Sequence, residues 1–399
     1  MANLIIVIAG GGIAGLSAAT EIRAHSAEAD LTLLSKEKDL PYYRLSLTRY
    51  LAGEIDKSKL PVHPEDWYAH NRIKLSICKE VIRINRDQKA VELADGEVVF
   101  YDKLILTTGA DPMVPPIPGK QLENVLTVRT IEDADHLLEK LKDTESCVCI
   151  GGGLLGLETA GAIVKSGVKV TLIEIAEWLM PRQLNQKASK QLKQFIQNLG
   201  MTVKENAKIK EIVGSNRCEG VLLESGELIP AGLVVITAGI RPNTALAREA
   251  GLTTARGLVL DETMHTSDAD ILGAGDLAEI NGALGGLWNL SQQQGKLAGL
   301  NAIGIDTPFK SISSSHALKV LGMDMFSMGD FAGTAVHDDL FEKEESGRYY
   351  SFVIRDKQII GSIVLGDRAL SLKVKSAIEK NRIFSNEALK NVEDFIKEI

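Results

Sequence analysis

Three glycines at one fixed spacing occur twice in this chain, and that spacing suits a particular chemistry. Gly10-Gly11-Gly12-Ile13-Ala14-Gly15 follows a continuous apolar run over residues 4–9 and opens an alanine-rich stretch of helical composition. Gly151-Gly152-Gly153-Leu154-Leu155-Gly156 follows a second apolar run over 147–150 in the same way. In the pattern G-x-G-x-x-G the first glycine permits a tight turn, the second lets a pyrophosphate approach the backbone, and the third lets helix and strand pack closely. The helix start then offers free N–H groups and the positive end of its dipole. Glu174 ends the apolar run after the second motif, roughly 20 residues past Gly151, where a carboxylate can accept hydrogen bonds from ribose hydroxyls. Two complete copies predict two dinucleotide sites, one at Gly10, Gly12, Ile13, Ala14 and Gly15, the other at Gly151, Gly153 and Gly156.

The elements that must carry these turns are legible from the same runs. Short continuous apolar stretches read as strands buried on both faces, and alternation with helical segments predicts a doubly wound α/β fold. Pro112, Pro115, Pro116 and Pro118 mark a connection, because proline and the residue before it resist helix. Near the C-terminus, alternating runs over 349–355 and 358–365 flank Asp356-Lys357 and read as a β-hairpin, and 389–399 reads as a charged helical tail.

Composition narrows the class of protein. The 399 residues suffice for two or three domains, and 45% hydrophobic with 25% charged residues is ordinary globular usage. A net charge of −8 without a basic cluster argues against nucleic acid, which needs clustered Lys and Arg. No stretch approaches the roughly 18 uninterrupted apolar residues of a membrane span. The N-terminal run has no basic residue before it and leads directly into a glycine motif, so a cytoplasmic protein is expected. Four cysteines fit a reducing compartment. Cys147 and Cys149 alternate in an apolar run and are expected to share the inward face of a strand, while Cys78 and Cys218 stand alone.

Several further stretches, in this order around the two motifs, resemble the FAD-dependent pyridine-nucleotide oxidoreductases of the glutathione-reductase-like fold. Within that family the chain looks most like the NADH:rubredoxin oxidoreductases and the flavoprotein part of assimilatory NADH-dependent nitrite reductases. The stretches are Pro41-Tyr42-Tyr43-Arg44-Leu45-Ser46-Leu47-Thr48-Arg49, the strand and turn ending Thr107-Thr108-Gly109-Ala110, the turn Thr237-Ala238-Gly239-Ile240-Arg241-Pro242-Asn243, and Ile271-Leu272-Gly273-Ala274-Gly275-Asp276. Residues 288–295 are similar to the family helix lying near the flavin. The resemblance implies FAD at the first motif, with Arg44, Val81, Thr108, Gly109, Gly239, Gly275 and Asp276 among its contacts, and NADH at the second, with Glu174 on its ribose. Where the family carries an acid for the FAD ribose this chain has Ser35, with Glu37 two residues on; either Ser35 or Glu37 can serve. It also implies an architecture: a discontinuous FAD domain over 1–110 and 239–309, an inserted NAD domain over 111–238, and a small α+β C-terminal domain over 310–399.

By the same resemblance Glu158 lies near the nicotinamide and flavin, pairs with Arg49, and is joined there by Lys319. The 41–49 loop has no cysteine, so a thiol relay is not expected and electrons are expected to leave the flavin directly. The implied activity is transfer from NADH through FAD to a small redox protein such as rubredoxin, by a monomer or homodimer, with Arg44, Arg49 and Lys319 as candidates for steering an acidic acceptor. The alternatives are an NADH oxidase using dioxygen, the flavoprotein component of a nitrite reductase system, and, from a different class, a non-catalytic redox-sensing flavoprotein.

Overall fold

The computed structural model describes residues 3–310, 315–331, 338–345 and 347–399, with main chain alone over 315–319. Each apolar run that precedes a glycine motif forms the middle of a five-stranded parallel sheet. In the first sheet the order is Ile271–Gly273, Lys103–Leu106, Ile5–Ala9, Asp30–Leu34 and Ile73–Ser76. In the second it is Thr202–Lys204, Lys169–Ile173, Ser146–Ile150, Leu233–Ile236 and Val125–Leu126. A central parallel strand has no solvent face, which is why Ile6, Val7, Ile8, Val148 and Cys149 are all fully buried. Along Ser146–Ile150 the faces alternate: Cys147 and Cys149 enter one apolar cluster with Leu157 and Ile163, and Val148 and Ile150 enter another with Ile212 and Val221. The two strand cysteines therefore pack, as their spacing predicts.

The duplication goes further than the motifs. Each parallel sheet is accompanied by a three-stranded antiparallel meander, Val81–Asn85 with Ala90–Leu93 and Val98–Phe100, and Ile209–Val213 with Gly220–Leu223 and Leu228–Pro230. The halves are joined by two antiparallel crossing strands, Ala110–Pro112 and Ile240–Pro242. They follow Gly109 and Gly239, whose φ values of 68° and 106° give the chain its turn out of each sheet.

The segment after the first motif's strands also ties the halves together. Helix Leu47–Leu51 buries Leu47 and Leu51 in the cluster of the second sheet, against helices Ile131–Leu141 and Leu154–Lys165. Tyr50 and Lys57 both reach Asp135, each at 2.7 Å.

The C-terminal part is an antiparallel sheet in the order Ser315–Val320, Met323–Gly329, Gln358–Leu365, Arg348–Arg355 and Asp339–Glu345. The expected hairpin is present, with Asp356 and Lys357 both at positive φ, the twist a two-residue connection requires. One face of this sheet holds Phe326, Phe352 and Val364 against helices Arg368–Glu379 and Val392–Glu398, with Phe395 at the centre. Met325, Tyr349, Ile363 and Leu365 on the other face join the core of the second parallel sheet. The expected tail helix over 389–399 is shorter: it begins at Val392, because the Asn391 side chain caps it by accepting from the Asp394 N–H at 2.9 Å. Among the described residues no helix is long and apolar enough to cross a membrane.

Helix Ile13–His25 is held by helix Trp288–Ala302 at glycine-to-backbone distance. A Cβ on Gly295 would lie 2.1 Å from the Ala14 carbonyl oxygen, while at Gly232 it would meet nothing within 4 Å. Gly295→Ala should therefore lower stability by roughly 1–3 kcal/mol, through a shift of the two helices, and Gly232→Ala should leave it within about 0.5 kcal/mol. Unfolding midpoints in urea measure both; equal midpoints for the two variants would contradict the close crossing.

Candidate functional site

At the first motif the three glycines do different work. Gly10 has a φ of 128°, and a Cβ there would lie 2.1 Å from the Thr107 carbonyl oxygen. A Cβ at Gly15 would lie 2.0 Å from the Gly10 carbonyl oxygen, and at Gly12 it would meet nothing within 4 Å. The open side at Gly12 exposes the start of helix Ile13–His25, which has no side-chain cap, so its first N–H groups are available to an anion. Ile13 and Ala14 form that first turn, with Ala14 buried beneath Gly275.

Beside this turn, Ser35 is buried at the end of its strand, with its Oγ 2.6 Å from where a Gly11 Cβ would be. Glu37 is engaged elsewhere: its Oε1 receives Arg44 Nη2 at 2.6 Å and its Oε2 accepts from the Tyr42 hydroxyl at 2.8 Å. Burial, with the Glu37 charge beside it, pushes the Tyr42 phenol well above its usual value, so Tyr42 remains a donor. Of the two ribose candidates, Ser35 lines the turn and Glu37 anchors Arg44. The segment after Ile73–Ser76 runs alongside, with the Lys79 N–H donating to the Ser35 carbonyl at 2.8 Å and the Cys78 N–H to that of Glu37 at 3.1 Å. Val81 follows directly, half-buried at the head of its strand.

Arg44 is half-buried. Its guanidinium lies 5.0 Å over the Tyr42 ring, pairs with Glu37, and donates to the Arg129 carbonyl. Arg129 in turn pairs with Asp276 at 2.7 Å, and Asp276 also accepts from the Ser291 hydroxyl at 3.2 Å. Gly275, at φ 88°, donates its N–H to Gln294 Oε1 at 2.9 Å. Among the described residues Gln293 Oε1 is buried with no partner. Arg129 was not among the sequence candidates, although a signal was present. Thr130-x-x-Asp133 forms a capping box at the start of helix Ile131–Leu141, which fixes the preceding residue in place. Thr108 and Gly109 lock onto Asn243: the Thr108 hydroxyl donates to its carbonyl at 3.4 Å, and the Asn243 amide returns to the Thr108 carbonyl at 3.2 Å.

The second motif repeats the geometry. A Cβ at Gly151 would lie 2.6 Å from the Thr237 carbonyl oxygen and one at Gly156 1.9 Å from that of Gly151, whereas Gly153 is open. Glu174 is oriented by two backbone donors, Gly152 N–H at 2.7 Å and Ala176 N–H at 2.8 Å, one on each oxygen. Each oxygen keeps a lone pair for a further donor. Gly239 begins the return crossing strand, and its carbonyl accepts from the Met113 N–H at 2.9 Å.

The expected Arg49–Glu158 pair does not form. Helix Leu47–Leu51 turns its leucines inward, which leaves Arg49 on the outer side, where it meets Glu54 at 3.4 Å; Lys165 shares that carboxylate at 2.6 Å. Glu158 instead accepts from the Leu321 N–H at 2.8 Å, in the turn between strands Ser315–Val320 and Met323–Gly329, the first hairpin of the C-terminal sheet. Lys319 sits on the strand leading to that tip, and its side chain lies outside the described residues. The pairing of Arg44 with Glu37 and of Arg49 with Glu54 also removes both as unpartnered charges for steering an acceptor.

Burial, with Glu54 nearby, raises the Glu158 pKa above the usual carboxylate range. A carboxyl raised on folding contributes stability that is complete below its unfolded pKa and lost as pH rises through the folded one. Glu158→Gln keeps an acceptor for Leu321 and cannot ionise, so its melting temperature should exceed the parent's at about pH 8 and the gap should close towards about pH 4. Differential scanning fluorimetry across that range checks this; a gap independent of pH would contradict it.

Known proteins resemble this chain in sequence and fold. Residues 5–295 match the pyridine nucleotide-disulphide oxidoreductase family, and residues 315–382 match the rubredoxin NAD+ reductase C-terminal domain. The chain is 31% identical over 386 residues to NADH-rubredoxin oxidoreductase of Clostridium acetobutylicum, covering 97% of each. It is 35% identical over 379 residues to nitrite reductase [NAD(P)H] of Bacillus subtilis; that alignment covers 94% of this chain and 47% of that protein, so the chain spans about half the relative's length. The crystal structure of the Clostridium acetobutylicum NADH:rubredoxin oxidoreductase superposes with a TM-score of 0.83 at 29% identity over 99% of each chain. With two glycine turns of matching geometry and a family match that extends across both of them, the chain belongs to the pyridine nucleotide-disulphide oxidoreductase family.

Proposed function

We propose that this chain is an FAD-dependent NADH oxidoreductase that passes electrons to a small redox protein such as rubredoxin, without a cysteine relay. The observation that carries the reading is the pair of open glycine turns, Gly12 and Gly153, in one chain that aligns end to end with a protein named NADH-rubredoxin oxidoreductase. We assign 1–110 and 239–309 to FAD, 111–238 to NADH and 310–399 to an interface domain.

The residues at the first turn fit FAD. The uncapped helix start and the open Gly12 suit a pyrophosphate, Asp276 and Ser291 suit a polyhydroxyl chain, and the orphaned Gln293 Oε1 needs a donor that a buried polar ligand would supply. When bound, FAD supplies hydride acceptance from NADH and release of electrons singly to a carrier. The chain's own part is placement. Arg129 and Arg44 neutralise the carboxylates of Asp276 and Glu37 beside the site. Glu174 orients the nicotinamide cofactor by its ribose, and Glu158 holds the C-terminal hairpin against the helix of the second motif.

The cysteines support direct release. Cys147 and Cys149 are buried together, and the neighbouring Cys149 together with burial pushes the Cys147 thiol well above its usual pKa; burial raises the Cys218 thiol. A thiol held protonated is a poor nucleophile. Cys78 is exposed and lies well past the 41–49 loop in sequence, with its N–H on the Glu37 carbonyl at 3.1 Å. Where a relay would sit, the chain instead presents exposed Tyr43 and Leu45, with the Tyr43 ring 5.9 Å from Trp288 at the start of its helix. This apolar surface suits close approach of a carrier. A second reading, the flavoprotein portion of a nitrite reductase system, is favoured by the 35% identity to the Bacillus subtilis enzyme.

Anaerobic turnover with NADH and a panel of acceptors separates these readings. Rubredoxin should accelerate NADH oxidation well beyond the rate in air; acceleration by no carrier protein would overturn the proposal. The same assay tests Glu174. With its carboxylate fixed for ribose hydroxyls and Glu177 close behind in sequence, kcat/KM should be higher for NADH than for NADPH, and Glu174→Ala should raise the KM for NADH roughly tenfold. A KM unchanged by the substitution would remove Glu174 from the site.

A further inference from the structure

Both glycine turns are held from the neighbouring strand by a threonine at the same place. Thr107 follows strand Lys103–Leu106, and Thr237 follows strand Leu233–Ile236, which flank the two motif strands. The Thr107 N–H donates to the Ala9 carbonyl at 2.9 Å, and its hydroxyl reaches the carbonyls of Ala9 at 3.2 Å and Gly10 at 2.9 Å. The Thr237 N–H donates to the Ile150 carbonyl at 2.8 Å, and its hydroxyl reaches the carbonyls of Ile150 at 3.0 Å and Gly151 at 3.2 Å. The space is closed around both hydroxyls: a Cβ at Gly15 would lie 2.8 Å from Thr107 Oγ1, and one at Gly156 2.6 Å from Thr237 Oγ1.

We propose that Thr107 and Thr237 are matched positioning residues, each setting the first peptide plane of one dinucleotide turn through its side-chain hydroxyl. The physical link is the planarity of the trans peptide, in which the carbonyl of one residue and the N–H of the next point in opposite directions. Holding the Gly10 carbonyl against Thr107 aims the Gly11 N–H away from the strand. Holding the Gly151 carbonyl against Thr237 does the same for the Gly152 N–H, and that N–H donates to Glu174 Oε2 at 2.7 Å. The Thr237 hydroxyl therefore acts on the Glu174 carboxylate through a single peptide unit. Gly10 and Gly151, at φ 128° and 113°, have no Cβ to hold these planes by packing. The proposal rests on the assignment of FAD to the first turn and NADH to the second.

The test uses the holoenzyme and isosteric variants. Thr107→Val should weaken FAD binding roughly three- to tenfold, the effect of one buried hydrogen bond, and leave the NADH dissociation constant near its parent value. Thr237→Val should raise the NADH dissociation constant and KM roughly three- to tenfold, with the loss in KM rather than kcat, and should narrow the NADH/NADPH preference while flavin content is retained. Thr107→Ser and Thr237→Ser, which keep the hydroxyl, should restore each property. Valine variants indistinguishable from the parent in both binding constants would overturn the proposal. So would either valine variant weakening both cofactors equally with a lowered melting temperature, which would mean a general packing loss. A parent protein that binds NADH and carries no flavin would overturn the assignment of FAD, and the Thr237 arm would then still decide whether the hydroxyl positions Glu174.

Discussion

A Cβ at Gly15 would sit 2.0 Å from the Gly10 carbonyl oxygen, and one at Gly156 would sit 1.9 Å from that of Gly151. Each helix thus starts in direct contact with the turn that ends its strand, and any side chain at that contact would force the two apart. This approach brings uncapped helix N–H groups to the carboxyl end of a parallel sheet, where a dinucleotide can use them. The buried strands, the helix Trp288–Ala302 crossing at Gly295 and the flanking threonines are all arranged around it.

The two halves of the chain are tied together by charge and by packing. Glu37, Arg44, the Arg129 backbone and Asp276 form one continuous chain of ion pairs and hydrogen bonds, with Arg129 contributed by the segment between the crossing strands. Charges this sheltered need their partners, since removal of one leaves the other uncompensated in a poor solvent for ions. On the opposite side the C-terminal sheet shares an apolar cluster with the second parallel sheet, and Glu158 fastens the hairpin tip at Leu321. The Asn185 amide adds a bond to the buried Tyr349 hydroxyl at 2.7 Å, which itself donates to Glu342 at 2.7 Å.

Much of this was legible in the residues. The glycine spacing located both turns, the apolar runs located the central strands, and the alternation of Cys147 and Cys149 gave the faces of one of them. Patterns of this kind are local, and the fold honours them because a parallel strand must be apolar on both faces. What was not legible depends on side chains that meet across long sequence separations. Glu37 and Arg49 could each have served a cofactor or a distant partner; packing of Leu47 and Leu51 turned Arg49 outward, and Tyr42 and Arg44 claimed Glu37. Arg129 announced itself only through the capping box beside it, which marks a helix start and says nothing of Asp276. The meanders were hidden because their strands, such as Val98–Phe100, are short and half-exposed.

In the proposed function electrons pass from one dinucleotide site to the other and leave without a thiol store. An anaerobic reductive titration followed by flavin absorbance tests it most directly. One equivalent of NADH per flavin should bleach the chromophore fully, and no further equivalent should be consumed. Uptake of a second equivalent before full bleaching, lost when Cys78 is replaced by serine, would show a cysteine acting as an electron store and would contradict it.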